Sequence, residues 1–171
     1  MQKNVAVFFG GRSCENEVSV ITGTMAANLL RGMYAVFPIY IAQDGGMYCG
    51  EALFDTASFR DSSFLKTCSE AVIAGGTLWQ RKGRKLKEIA KIDCALNCCH
   101  GMGGEDGALS GLLDLNGIPN ASPDMAASAL FMDKVLTKHF AKGIGVKTVP
   151  YFKIEEHDFR KRGAIAIKCV E

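Results

Sequence analysis

No apolar stretch in this 171-residue chain approaches the ~20 residues that a membrane-spanning helix needs. The opening Met1-Gln2-Lys3-Asn4 runs into Val5–Phe9, and Gly10-Gly11 end that run too soon for a signal peptide. The chain therefore reads as cytoplasmic. Strong charge of either sign is also missing. A formal net charge of +2 is too small for the long-range field that recruits nucleic acid. The seven cysteines include no C-x-x-C pair, and the three histidines form no H-x-x-x-H, so tetrahedral zinc spacing is absent. The thiols read as small, reduced hydrophobes. Gly10-Gly11 does not complete G-x-G-x-x-G, and no acid follows about twenty residues later, which argues against a dinucleotide fold.

What is present suits a globular protein with a real core, 48% apolar and 22% charged. The length allows one domain plus part of a second. Val5–Phe9 is a continuous apolar run of the kind that forms a strand buried on both faces. Val18, Ile21, Met25 and Leu29 are spaced as one helix stripe, stopped by Gly32, and Tyr34–Ile41 reads as a second strand. Strand, helix, strand at this length makes a βαβ unit, hence an α/β fold on an open parallel sheet with flanking helices.

Asp44-Gly45-Gly46 is a turn, and residues 50–67 read as irregular with a short helix. A small hairpin is expected over 77–87, with the basic cluster Arg81, Lys82, Arg84, Lys85, Lys87 and Lys91 on and after it. That cluster reads as a solvated turn, and no function is assigned to it. Asp93–Cys99 reads as another strand, followed by the glycine-rich His100–Gly107 and a short helix closed by Asn116-Gly117. Ser122 as N-cap and Pro123 at the first helical position predict a helix, broken near Asp133 and ending at Lys142-Gly143. Val146–Ile154 and Ala164–Lys168 read as two further strands. The domain boundary is expected near Ala121-Ser122, giving domains 1–121 and 122–171, the second too small to be complete.

Ligands of an open parallel sheet collect at the carboxyl ends of its strands. Two such ends carry unusual loops, Gly10–Ser19 and His100–Gly107, and each opens a helix. Glu15 suits an ammonium ligand and equally suits a helix N-terminus as a countercharge. His100 could orient a substrate carboxylate, tune an acid, or be a structural group. Glu105 and Asp106 could face a ligand or cap the next helix.

Together these motifs resemble a known family. Gly10-Gly11-Arg12-Ser13-x-Glu15-x-Glu17-Val18-Ser19 resembles the opening signature of D-alanine–D-alanine ligases. His100-Gly101-x-x-Gly104-Glu105-Asp106-Gly107, with Gly111-Leu112-Leu113 and Gly117-Ile118-Pro119, resembles their second. Ala127-Ser128-Ala129-x-x-Met132-Asp133-Lys134-x-x-x-Lys138 resembles the segment leading into their ATP-grasp domain. The resemblance implies a Rossmann-like pre-ATP-grasp domain, then the start of an ATP-grasp α+β domain. It implies ATP-dependent joining of two D-alanines through an acyl phosphate, for peptidoglycan and cell-wall synthesis.

Glu15 then matches the acid that holds the first D-alanine ammonium and is the catalytic candidate. Ser13, His100 and Glu105 fall among the substrate contacts, and Lys134 and Lys168 among the ATP contacts. The metal ligands for Mg²⁺ are expected beyond residue 171, and pairing of two copies through the front domain is expected. Cys169 stands where the family usually has proline. On this reading the chain is an N-terminal portion, inactive alone. The alternatives are a relative that joins D-alanine to D-lactate or D-serine, another ATP-grasp enzyme such as a carboxylase, and a non-catalytic binding or dimerisation fragment.

Overall fold

In the computed structural model, which describes residues 2–157 and 159–160, the apolar run Val5–Phe9 lies inside strand β1 (Asn4–Gly10). β1 pairs in parallel with β2 (Ala35–Ile41) on one side and β7 (Cys94–Asn97) on the other. Alternation along β1 sends Ala6 and Phe8 into one cluster with Ile39, Leu109 and Leu113. It sends Val5, Val7 and Phe9 into a second cluster with Val20, Ala27 and Leu53. Helix α1 (Asn16–Leu30) contributes to the second cluster and α2 (Ala108–Leu115) to the first, so β1 has no solvent face.

α1 presents an unexpected face to the sheet. The periodic residues Val18, Ile21, Met25 and Leu29 are 54, 62, 58 and 69% exposed, while Asn16, Ser19, Val20, Gly23, Thr24 and Ala27 are buried. Close approach explains the choice: a methyl group at Gly23 would stand 2.3 Å from Phe9 Cβ. The Ser19 hydroxyl also accepts from Gly10 N and donates to Cys98 O, both at 2.7 Å, tying α1 to β1 and to the end of β7. A stripe of larger side chains could not come so near.

The sheet is mixed. Beyond β2 it continues through β3 (Met47–Cys49), β4 (Ser69–Ala74), β5 (Thr77–Lys82) and β6 (Lys85–Lys91), all antiparallel, in the order β6-β5-β4-β3-β2-β1-β7. The expected parallel sheet is its β2-β1-β7 part, flanked by helices. β4 and β5 are joined by Gly75-Gly76, both in the left-handed region that a two-residue hairpin turn requires. The expected hairpin is β5–β6, and its lysines lie exposed on an edge strand, where they discourage pairing with another chain. Residues 50–67 form three short 3₁₀ segments rather than one helix.

The chain divides at Met132/Asp133 into two compact units. The first includes helix α3 (Met125–Met132), which begins three residues after Ser122 and is capped by Asp124 Oδ1 accepting from Ala127 N at 2.7 Å. The Ser122 cap read from the sequence is therefore not the one used. Pro123 O accepts from Ser110 Oγ at 3.1 Å, which fastens this segment to α2. In the second unit, α4 (Lys134–Gly143) starts at the anticipated break, with Asp133 Oδ1 accepting from Val135 N and Leu136 N. Residues 146–154 form no strand; their β-branched side chains are exposed and have no partner strand among the described residues. The strand expected over Ala164–Lys168 lies outside the described residues, as does Lys168.

Candidate active site

Because β7 is the parallel neighbour of β1, the loops leaving their carboxyl ends meet. The first loop turns at Gly10 and Gly11, with φ of 93° and 102°. At Gly10 only hydrogen fits, since a methyl group would stand 2.3 Å from Ile41 O. Asn16 Nδ2 donates to Gly11 O at 2.7 Å, and Ser13 is buried, its Oγ accepting from Glu15 N at 3.1 Å. Glu15 stands at the N-cap of α1 but makes no capping hydrogen bond with its side chain, and Glu17 supplies the acid of the first turn. That weighs against Glu15 as a mere cap.

The second loop is held from within. Asn97 donates from Nδ2 to Gly104 O and accepts at Oδ1 from Cys99 N, both at 2.9 Å. Glu105 Oε2 accepts from Gly101 N at 2.7 Å. Asp106 accepts from Gly103 N and Ala108 N at 2.8 and 3.0 Å, a loop-closing and helix-capping role.

The two loops touch at Gly101. A methyl group there would stand 2.4 Å from Ser13 Oγ and 2.6 Å from Glu15 Oε2. Two carboxylates, Glu15 and Glu105, thus lie against one glycine, beside His100. His100 is half-buried and its Nε2 is 3.1 Å from Thr22 Oγ1. It lines a cavity of about 450 Å³ with Thr22, Asn97, Glu105, Ser122 and Phe131. Ser13 and Glu15 are not among the lining residues; they stand at the Gly101 contact. Burial, with the neighbouring Cys98 adding to it, pushes the Cys99 thiol up to about 12.

Four predicted residues, Ser13, Glu15, His100 and Glu105, are therefore brought to one edge of the sheet. Lys134 lies exposed in the second unit, at the start of α4. Two residues that shape the site escaped the sequence reading. Asn97 is a polar residue closing an apolar strand, a visible signal, whereas Thr22 looks like any helical threonine. Among the described residues no group of three His, Cys, Asp or Glu side chains could hold a metal ion, and no helix is long and apolar enough to cross a membrane. Chemically, the edge can hold a cation between carboxylates and offer an imidazole to an adjacent anion. That combination suits a small zwitterion.

Known proteins with the same features agree on the family. The D-alanine–D-alanine ligase of Chlorobaculum tepidum is 34% identical over 90% of this chain, and the match covers 44% of that protein. The chain thus spans about half the length of such relatives. The ligase structure from Coxiella burnetii superposes with a TM-score of 0.79 at 26% identity, covering 98% of this chain and 49% of that one. The VanG D-Ala:D-Ser ligase of Enterococcus faecalis gives 0.69 at 28% identity, covering 99% and 49%. The family model described as the D-ala D-ala ligase N-terminus matches residues 4–123, and the chain belongs to that family.

Proposed function

We propose that this chain supplies the first-substrate half-site of an ATP-dependent D-alanine–D-alanine ligase of cytoplasmic peptidoglycan synthesis. The observation that carries the reading is the contact at Gly101, where the Glu15 and Glu105 carboxylates flank the backbone next to His100. Glu15 holds the ammonium of the first D-alanine, with Ser13 and Glu105 beside it at Gly101 and His100 steering the carboxylate. The reaction joins that carboxylate, activated by ATP as an acyl phosphate, to the amine of a second D-alanine. What these residues contribute is binding and orientation, which can supply a large share of such a rate enhancement.

This reading assigns the ATP contacts to Lys134 and Lys168. Lys134 is exposed at the start of α4, Lys168 lies outside the described residues, and no cluster of three metal-binding side chains occurs among those described. Spanning about half the length of its relatives, the chain by itself is expected to be inactive. The domain boundary of this reading lies at 121/122, near the end of the family match at residue 123. The likeness to a D-Ala:D-Ser ligase favours a second reading, in which the acceptor is D-serine and the first half-site is unchanged. The same proposal includes pairing of two copies through this domain. Val18, Ile21, Met25 and Leu29, each more than half exposed and spaced as one stripe of α1, support it.

Titration calorimetry of the chain with D-alanine and L-alanine tests the reading, with Glu15→Gln as the control. D-alanine is expected to bind preferentially, and Glu15→Gln to weaken it at least tenfold, as loss of a charged partner does. Equal binding of both enantiomers, or no effect of Glu15→Gln, would refute it. Sedimentation of the same samples is expected to show a dimer.

A further inference from the structure

Thr22 sits on α1 with its hydroxyl 3.1 Å from His100 Nε2. The same hydroxyl donates to Val18 O, one turn back, at 3.0 Å. A threonine hydroxyl has one proton to give and two lone pairs with which to accept. Both contacts are hydrogen bonds at once only if the proton goes to Val18 O and the oxygen accepts from His100. Nε2 must then carry hydrogen, and in the neutral ring Nδ1 is bare. The identity of the second nitrogen follows from the bond made by the first.

We propose that Thr22 is a positioning residue for His100: its hydroxyl fixes the ring as the Nε2–H tautomer and leaves Nδ1 as the nitrogen presented to the ligand. This rests on the reading of the edge as an amino-acid site. The Thr22 bond serves the neutral and the protonated ring alike, because Nε2 is a donor in both. Any change of role is therefore confined to Nδ1. It accepts when the ring is neutral and donates to a ligand carboxylate when the ring is charged. The anchoring bond also removes ring flips that would exchange the two nitrogens, so the carboxylate always meets the same atom. A threonine serving only the helix would need no more than its Val18 bond and would leave the imidazole free to choose.

The test uses the 171-residue chain with ¹⁵N-labelled imidazoles, which number only three. Long-range ¹H–¹⁵N correlation of the neutral His100 ring is expected to show a protonated Nε2 and a bare Nδ1 in the wild type and in Thr22→Ser. Thr22→Val is expected to populate both tautomers. D-alanine affinity should fall roughly three- to tenfold in Thr22→Val, the loss of one hydrogen bond, and recover most of that in Thr22→Ser. A wild-type ring carrying hydrogen on Nδ1 would overturn the proposal, and that measurement needs no variant to fold. So would a Thr22→Val chain with unchanged tautomer and affinity. The two readings fail separately. If the tautomer responds as stated but D-alanine does not bind, the amino-acid site is wrong and the Thr22 assignment stands. If Glu15→Gln abolishes binding while Thr22→Val moves neither readout, the reverse holds.

Discussion

On the parallel side of the sheet, the acids of the loops after β1 and β7 converge on Gly101; on the antiparallel side, the bases of β5 and β6 spread along an exposed edge. Both regions combine glycine with charge. In the first, glycines admit side chains from another loop, and buried hydrogen bonds from Ser19 and Asn16, with a half-buried one from Asn97, hold the backbone in place. In the second, Gly75, Gly76 and Gly83 only reverse the chain, and the ion pair Arg81–Glu70 at 3.1 Å is half-exposed. A charge acquires chemical meaning where the fold limits its freedom and its solvent. Composition alone does not distinguish the two.

Three substitutions break or sharpen this contrast. The largest effect is expected for Ser19→Ala, which strands the buried Gly10 N–H and Cys98 carbonyl at once. Leaving both unpaired should cost about 2–4 kcal/mol in a denaturant titration. Loss below ~1 kcal/mol would mean that water replaces the hydroxyl and that the loops are less rigid than described. Gly101→Ala comes next. Its φ of 67° disfavours any side chain, and the new methyl group must displace Ser13 or Glu15. A stability loss of about 1–2 kcal/mol is expected. Calorimetry should show D-alanine binding reduced far beyond what that loss explains. The smallest effect belongs to Lys85→Glu on the edge strand, where Lys85 faces Lys82 across the hairpin. Replacing a like-charge pair with an opposite one should stabilise the chain, by less than ~1 kcal/mol, and raise its melting temperature slightly. A large change at Lys85, or none at Gly101, would erase the contrast between the two edges.

Much of the parallel half was legible because its signals are local. A five-residue apolar run bounded by two glycines can hardly be anything but a buried strand, and β1 contains it. The break at Asp133 was visible as a capping residue within a helical pattern, and its carboxylate performs that task. The short strands β3 and β4 were not legible. Three to six residues, half of them partly exposed, carry no clear period, and they become strands only because β2 and β5 offer edges to pair with. Residues 146–154 show the converse, β-branched side chains with no strand beside them among the described residues. In the candidate site, Glu15 and His100 stood out by position after a strand and before a helix. Thr22 could not, since its contact with a residue 78 positions away exists only in three dimensions.

Local chemistry in the chain settles where β1 lies, where it must turn, and which acids and histidine flank those turns, because glycine freedom and apolar runs act over a few residues. It does not settle which face of α1 packs inward. Periodicity offered the larger side chains Val18, Ile21, Met25 and Leu29, and the fold buried the smaller ones. That decision belongs to the tertiary structure: Gly23 lets the helix approach Phe9, and Ser19 bridges two strands. No spacing rule counts the distance between a helix and the sheet beneath it.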